Sequence, residues 1–403
     1  MENLNSLPNL STLDLNNNNI LQLENLNFLP NLNSLNLSNN KIVNFENLNA
    51  LSNLKNLNLF NNSIQLIQFN TDPNSISNNF LSLKYLDLSK NKIKKIININ
   101  LCKNLKSLNL YSNQLSDLSS NIKNLNSLNS LSVLNLSYNK IKSLNHTFLN
   151  GFNNLKLLNL KSNLITKFEI KAYNSLLKLQ KLWLNYNQLE SIDIFNNHSD
   201  RRSSSLINLK TLYMNNNLIE SLDFLNNFEF KLQKIDLSYN LINQFKFIKH
   251  CERLEEISLN VNKINTIENL LKKDQDYPSL RKLNLKRNMI SSIAGLEHFR
   301  KLRYLDLSSN KISKLNINKI KLYEHRNHSR NSFLYIYLIG NNLTLDNLNK
   351  GKDSIESCYN GDVGDDSNSM CLKLLMQNSC DLKMVEEKDA EALYTHQAAI
   401  VAY

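Results

Sequence analysis

The sequence predicts an α/β solenoid: a right-handed horseshoe with a parallel sheet on its concave side and short 3₁₀ or helical segments on its convex side. Three observations carry this. The pattern L-x-x-L-x-L-x-x-N-x-[I/L] recurs from Leu10, Leu32, Leu54, Leu83, Leu105, Leu131, Leu155, Leu179, Leu209, Leu232, Leu254, Leu280, Leu302 and, degenerately, Phe333. Its Asn is present in all fourteen copies: Asn18, Asn40, Asn62, Asn91, Asn113, Asn139, Asn163, Asn187, Asn217, Asn240, Asn262, Asn288, Asn310 and Asn341. Six Gly and four Pro are too few for a turn-dense β-sandwich or for Gly-rich phosphate loops. Asn accounts for 75 of the 403 residues, so a single match means nothing and only fixed spacing counts.

Each segment of the repeat has a physical reading. L-x-L alternates with period two, which makes a short strand with one buried face. The chain then returns over the other side, because a coil cannot bury its apolar edge alone and must stack on a neighbour. The recurrent Asn falls where the chain bends out of the strand; its amide offers two donors and an acceptor to backbone groups that the turn would otherwise strand. Those asparagines are read as structural. Steps between them run from 22 to 31 residues, and five of the steps are 22. A step of 22 leaves room for a 3₁₀ turn or a very short helix. The longer coils carry polar insertions at 70–79, 196–205 and 323–332.

This pattern resembles the leucine-rich-repeat family over roughly residues 4–345. The 22-residue step is similar to the short intracellular subclass typified by the solenoid regulatory subunit of protein phosphatase 1. That resemblance implies a non-enzymatic protein-binding surface on the concave face. It also implies the phosphatase catalytic subunit as a candidate partner, held by acidic and aromatic residues such as Asp236, Glu256, Tyr304 and Asp306. Longer coils and central lysines depart from the regulator's pattern.

The sequence divides into a solenoid of about fourteen coils over 1–349, an acidic flexible linker at 350–370, and a helical cap or the start of a further domain at 371–403. Net charge is +12 overall. Residues 350–403 hold ten acidic and five basic side chains, which leaves 42 basic against 25 acidic in 1–349. Those lysines are read as decoration of a solvated convex face. The start has neither a basic n-region nor an apolar h-region, no run of eighteen apolar residues occurs, and the five cysteines are odd in number and scattered. The expected compartment is the cytoplasm, with the nucleus as an alternative.

Candidate binding residues come from the third, fifth, seventh and eighth positions of the repeat, which are expected to face out. Most of the fifth position is Asn, Asp or Ser, but Trp183 and Tyr213 occupy it in neighbouring coils. Tyr186 and Tyr239 stand at the eighth position nearby, with Lys161, Lys181 and Lys234 around them. Trp and Tyr are the side chains that most often anchor interfaces; the alternative is that these rings stack on one another and stiffen the sheet. Interleaved rings and lysines also suit single-stranded nucleic acid, but Asp87, Asp236, Glu255, Glu256 and Asp306 share the face and argue against it.

No P-loop, nucleophile elbow or H-E-x-x-H motif occurs, so no catalysis and no cofactor are expected. His325, His328, Cys358, Cys371 and Cys380 lack zinc-site spacing, so no metal is expected. Arg201-Arg202-Ser203-Ser204 resembles a basophilic kinase target with Ser204 as acceptor, against the plainer reading of a solvated loop. The expected function is a non-enzymatic intracellular scaffold gripping a folded protein. The alternatives are the repeat region of a larger signalling enzyme and a phosphatase-targeting subunit.

Overall fold

A computed structural model describes residues 4–342, apart from 49, 70–79, 123, 145, 171–175, 195–205, 228–230, 246–251, 268–276, 294–298, 300 and 315–333, together with 372–375. The three insertions, Ser204, His325, His328, Cys358, Cys371, Cys380 and the linker at 350–370 lie outside the described residues.

All fourteen L-x-x-L-x-L segments form strands, and they pair in sequence order into one parallel sheet. Register follows the repeat: Leu13 pairs with Leu35, Leu158 with Leu182 and Leu283 with Leu305. One residue's slip would turn every leucine to solvent, so the apolar pattern fixes this register. In the second coil Leu32, Leu35, Leu37 and Ile42 are all buried, and the same positions join a single continuous core along the stack. Each such side chain contributes about 1.5–3 kcal/mol on burial. In the first coil Leu10, Leu13, Leu15 and Ile20 are only partly buried, covered by one neighbouring coil rather than two.

The returns are short, as the 22-residue step requires. They include 3₁₀ turns at Leu26–Phe28, Ile99–Leu101 and Leu125–Ser127 and four-residue helices at Leu118–Asn121 and His146–Leu149. Several returns are instead extended. Leu66–Gln68 pairs with Lys95–Ile97, and Lys167–Ile170 pairs with Ser143–Leu144 and Asp193–Ile194. These small parallel sheets were not expected from the repeat; they form because one buried position recurs in adjacent coils, as Ile67 and Ile96 in the first sheet and Leu144, Phe168 and Ile192 in the second.

A correction concerns the C-terminal segment. Residues 371–376 were expected to be helical, yet Leu372–Leu375 is a fifteenth strand, parallel to Leu334–Tyr337. A short apolar run does not distinguish helix from strand by itself; here the open edge of the last repeat strand supplies backbone partners that settle it. Among the described residues, no helix is long and apolar enough to cross a membrane.

Candidate functional site

The open face of the long sheet is shaped by what the backbone demands of each repeat position. Asn187 shows the first demand. Its Nδ2 donates to the carbonyls of Leu160 (3.0 Å) and Leu184 (2.9 Å), and its Oδ1 accepts the Ile165 N–H (3.0 Å). The same bonds recur along the stack, for instance at Asn40, Asn113 and Asn262. The structural reading of this column therefore stands.

The second demand falls on the residue just before it. Every described eighth position is left-handed, from Asn17 (φ 54°) to Gly340 (φ 73°). Asn and Gly tolerate this conformation, whereas other side chains lose about 1–2 kcal/mol. Yet Tyr138, Tyr186, Tyr239 and Val261 hold it, with φ between 54° and 57°. The three tyrosines end 45–49% exposed.

The third demand was missed by the sequence reading. Fifth-position oxygens accept the N–H of the seventh residue. Asn36 caps Ser38 at 3.2 Å, Asn159 caps Lys161 at 3.0 Å, Asp236 caps Ser238 at 3.0 Å and Asp306 caps Ser308 at 2.9 Å. The signal was present in the recurrent Asn/Asp-Leu-Ser triplets at 36–38, 87–89, 135–137, 236–238 and 306–308. Two expectations change as a result. The seventh position was expected to face out, but Ser38, Ser89, Ser137, Ser238 and Ser308 are buried against the caps. Asp306, expected as a partner contact, is itself only 4% exposed.

Ser258, whose hydroxyl donates to Asn260, and Tyr337 depart from this third rule, and so do Trp183 and Tyr213. The last two pair in register on adjacent strands, with ring centroids 6.1 Å apart and planes tilted 43°. Neither has an oxygen to cap the following turn. Both are half-buried, which corrects the expectation of freely exposed rings: each covers the other's flank. The indole Nε1 is buried and has no hydrogen-bond partner among the described residues.

Charged groups surround the pair. Lys161 lies between two rings, 5.5 Å from the centre of Tyr138 and 5.4 Å from that of Tyr186. Tyr111 meets Tyr138 edge-on at 5.1 Å, so one band runs Tyr111–Tyr138–Lys161–Tyr186. Lys234 sits 6.0 Å from the Tyr213 ring and bonds Glu256 at 2.8 Å, and Glu256 also meets Lys282 at 3.3 Å. Lys181 is exposed beside Trp183, and Tyr239 is exposed two coils along. Tyr304 lies further along the sheet, its ring tilted 43° against that of Tyr337 with centroids 5.1 Å apart.

Protonation follows these contacts. Burial pushes Asp236 above the usual carboxylate range, and its bonds from Ser238 and the Lys234 charge offset this only in part. Burial acts to raise Glu256 as well, but the bond and charge of Lys234, with Lys282, outweigh it and hold the group low. Burial acts to lower Lys234, and the Glu256 bond with the charges around it carries the ammonium above its ordinary value. Asp236, Glu256 and Asp306 are thus committed to Ser238, to lysines and to Ser308, and they form no open acidic set of the kind the phosphatase-regulator resemblance implied. Cys102, pushed up to about 12 by burial, is an inert core thiol.

Comparisons with known proteins agree with the repeat. Profiles described as leucine-rich repeats match residues 82–103, 129–189, 177–227 and 278–319. By sequence, no curated protein matches the chain. Among solved structures, the LRIM1/APL1C complex superposes with a TM-score of 0.69 at 19% identity, over 99% of this chain and 68% of that one. A leucine-rich-repeat protein of Leptospira interrogans gives 0.58 at 22% identity, over 88% and 97%. The leucine-rich-repeat domain of APL1B gives 0.59 at 19%, over 80% and 87%. Identities this low speak to the fold alone. With the asparagine column and the parallel sheet in place, the chain carries leucine-rich repeats, matched by profile over 82–103, 129–227 and 278–319.

Proposed function

We propose that the solenoid is a non-enzymatic scaffold that binds a folded protein on the open face of its sheet, centred on Trp183 and Tyr213. The observation that carries this reading is the replacement of two turn-capping side chains by a paired Trp and Tyr. Each replacement gives up a turn hydrogen bond worth about 0.5–1.5 kcal/mol, and the indole N–H finds no partner in exchange. Folding gains little from the arrangement. An interface would gain much, because large rings bury about 150–250 Å² each and dominate contact energies. Exposed Tyr186, Tyr239 and Lys181 and the Lys161 sandwich give this centre a polar, aromatic border.

The test is affinity capture with the intact chain and with Trp183→Ala/Tyr213→Ala, reading bound proteins by mass spectrometry and folding by circular dichroism. The double variant should fold and lose the specific partners. If it folds and retains all of them, the aromatic pair is not the binding centre.

We take the scaffold to work inside the cell, a reading supported by the scattered, odd-numbered cysteines and the buried thiol of Cys102. Within this reading, the segment Leu372–Leu375 covers the edge of the last coil, supported by its pairing with Leu334–Tyr337.

A further inference from the structure

The lysines that look scattered in sequence are aligned in space. The second repeat positions of successive coils are joined directly through their backbones: Lys84 N–H to Lys55 O, Lys106 to Lys84, Ser132 to Lys106, Lys156 to Ser132, Gln180 to Lys156 and Lys210 to Gln180, each at 2.8–2.9 Å. Across these seven coils the second and third positions hold six lysines, Lys55, Lys84, Lys106, Lys156, Lys181 and Lys210, and no acid. Five of the six are exposed and Lys84 is half-buried. No ion pair engages them among the described residues. Two coils further on the same rim carries the acids Glu255 and Glu256, and Glu256 meets both Lys234 and Lys282.

Like charges in register on adjacent strands oppose folding. A rim of six with no ion pair among the described residues therefore adds no stabilising contact of its own, and its complement is a linear polyanion. Two features of the same coils choose among polyanions. Nucleobases need open slots between rings, but Tyr111 and Tyr138 touch edge to face and Lys161 fills the interval between Tyr138 and Tyr186. An extended acidic polypeptide needs no such slot, and its same-side carboxylates recur every ~6.6 Å, within reach of lysines on strands ~4.8 Å apart.

We propose that this rim docks an acidic, extended stretch of the partner polypeptide, running along coils three to nine beside the aromatic centre. This rests on the scaffold reading only in taking the partner to be a protein.

The test uses fluorescence anisotropy with the full chain. The probes are a labelled oligoglutamate of about ten residues, long enough at ~3.3 Å per residue to follow six coil steps, an oligoglutamine of equal length, an oligothymidylate and phosphatidylserine vesicles. The oligoglutamate should bind, weaken as salt rises, and exceed the other three probes. Lys84→Glu/Lys106→Glu/Lys156→Glu should weaken it about tenfold or more. Lys92→Glu/Lys140→Glu/Lys142→Glu, which changes net charge equally at exposed sites off this rim, should weaken it less than about threefold.

Tighter binding of the oligonucleotide or vesicles, equal loss in the two triple variants, or no oligoglutamate binding would each overturn the proposal. Failure of the scaffold reading is separate: it shows as undiminished partner capture by Trp183→Ala/Tyr213→Ala.

Discussion

Replacing Asn163 by alanine tests whether the asparagine column holds the coils in register. Asn163 is buried, 6% exposed. Its Nδ2 donates to Leu136 O (3.0 Å), Leu160 O (3.0 Å) and Lys161 O (3.3 Å), and its Oδ1 accepts the Ile141 N–H (3.1 Å). The carbonyls are not stranded by its removal. Leu136 O keeps Asn139 Nδ2, Leu160 O keeps Asn187 Nδ2, and Lys161 O keeps the Tyr138 N–H. The Ile141 N–H alone is orphaned. An orphaned buried donor costs about 1–3 kcal/mol and each lost bond about 0.5–1.5 kcal/mol, so the expected loss is about 3 kcal/mol. Asn18 provides the contrast: it is exposed and donates only to Leu15 O and Asn16 O in its own turn, so Asn18→Ala should cost under about 1 kcal/mol. Urea unfolding of both variants measures the difference, and amide exchange at Ile141 locates it. Equal losses, or an Ile141 amide that stays protected in Asn163→Ala, would refute the reasoning.

Two further substitutions probe the other columns. Val261 is β-branched at φ 56°, where Asn17, Asn39, Asn61 and Asn216 stand in other coils, so Val261→Asn should stabilise by about 1 kcal/mol in thermal melts; a lower melting temperature would contradict the strain assigned to that turn. Asp236→Asn keeps the oxygen that caps Ser238, as Asn36 and Asn135 do for their serines, and removes a buried charge. Asp236 has a folded pKa above its unfolded one, so its stability contribution is complete below the unfolded value and is lost as pH rises through the folded value. The variant should therefore be more stable than the parent at about pH 7, with the gain vanishing by about pH 3; a gain that does not change with pH would show that the charge is not the cause.

The sequence disclosed whatever repeats locally. Each L-x-L strand, each turn asparagine and the short returns at Leu26–Phe28 and Ile99–Leu101 follow from patterns within one coil. What escaped depends on contact between coils. Leu66–Gln68 becomes a strand only because Lys95–Ile97 lies beside it, and Leu372–Leu375 only because Leu334–Tyr337 offers an edge. The lysines at 55, 84 and 106 are separated by 29 and 22 residues, so they seemed scattered over a convex face until register brought them onto one rim. For the site, Trp183 and Tyr213 stood out as aromatics in a polar column, but the column's capping role was hidden. Without it, Asp236 and Asp306 looked like free partner contacts rather than turn caps.

Knowing what each column requires turns departures into a measure of function. A leucine in the core or an Asn at the turn is explained by folding and says nothing about a partner. A Tyr at a left-handed position, or a Trp where an oxygen should cap a turn, is held against the fold's preference. Tyr138, Tyr186 and Tyr239 forgo about 1 kcal/mol each in backbone conformation, and Trp183 and Tyr213 forgo about 1 kcal/mol each in turn hydrogen bonds. Together that is about 5 kcal/mol, comparable with the whole net stability of a small domain. A stack of fourteen coils sharing one continuous core can carry such a local deficit, because neighbouring interfaces sum along the solenoid. These five rings fall in coils six to ten, where the lysine rim ends; Val261 holds the same left-handed position in coil eleven, and Tyr337 the same fifth position in coil fourteen. Under the proposed function, the size and exposure of the rings gathered there, added to their strain, favour this segment as the one a partner contacts.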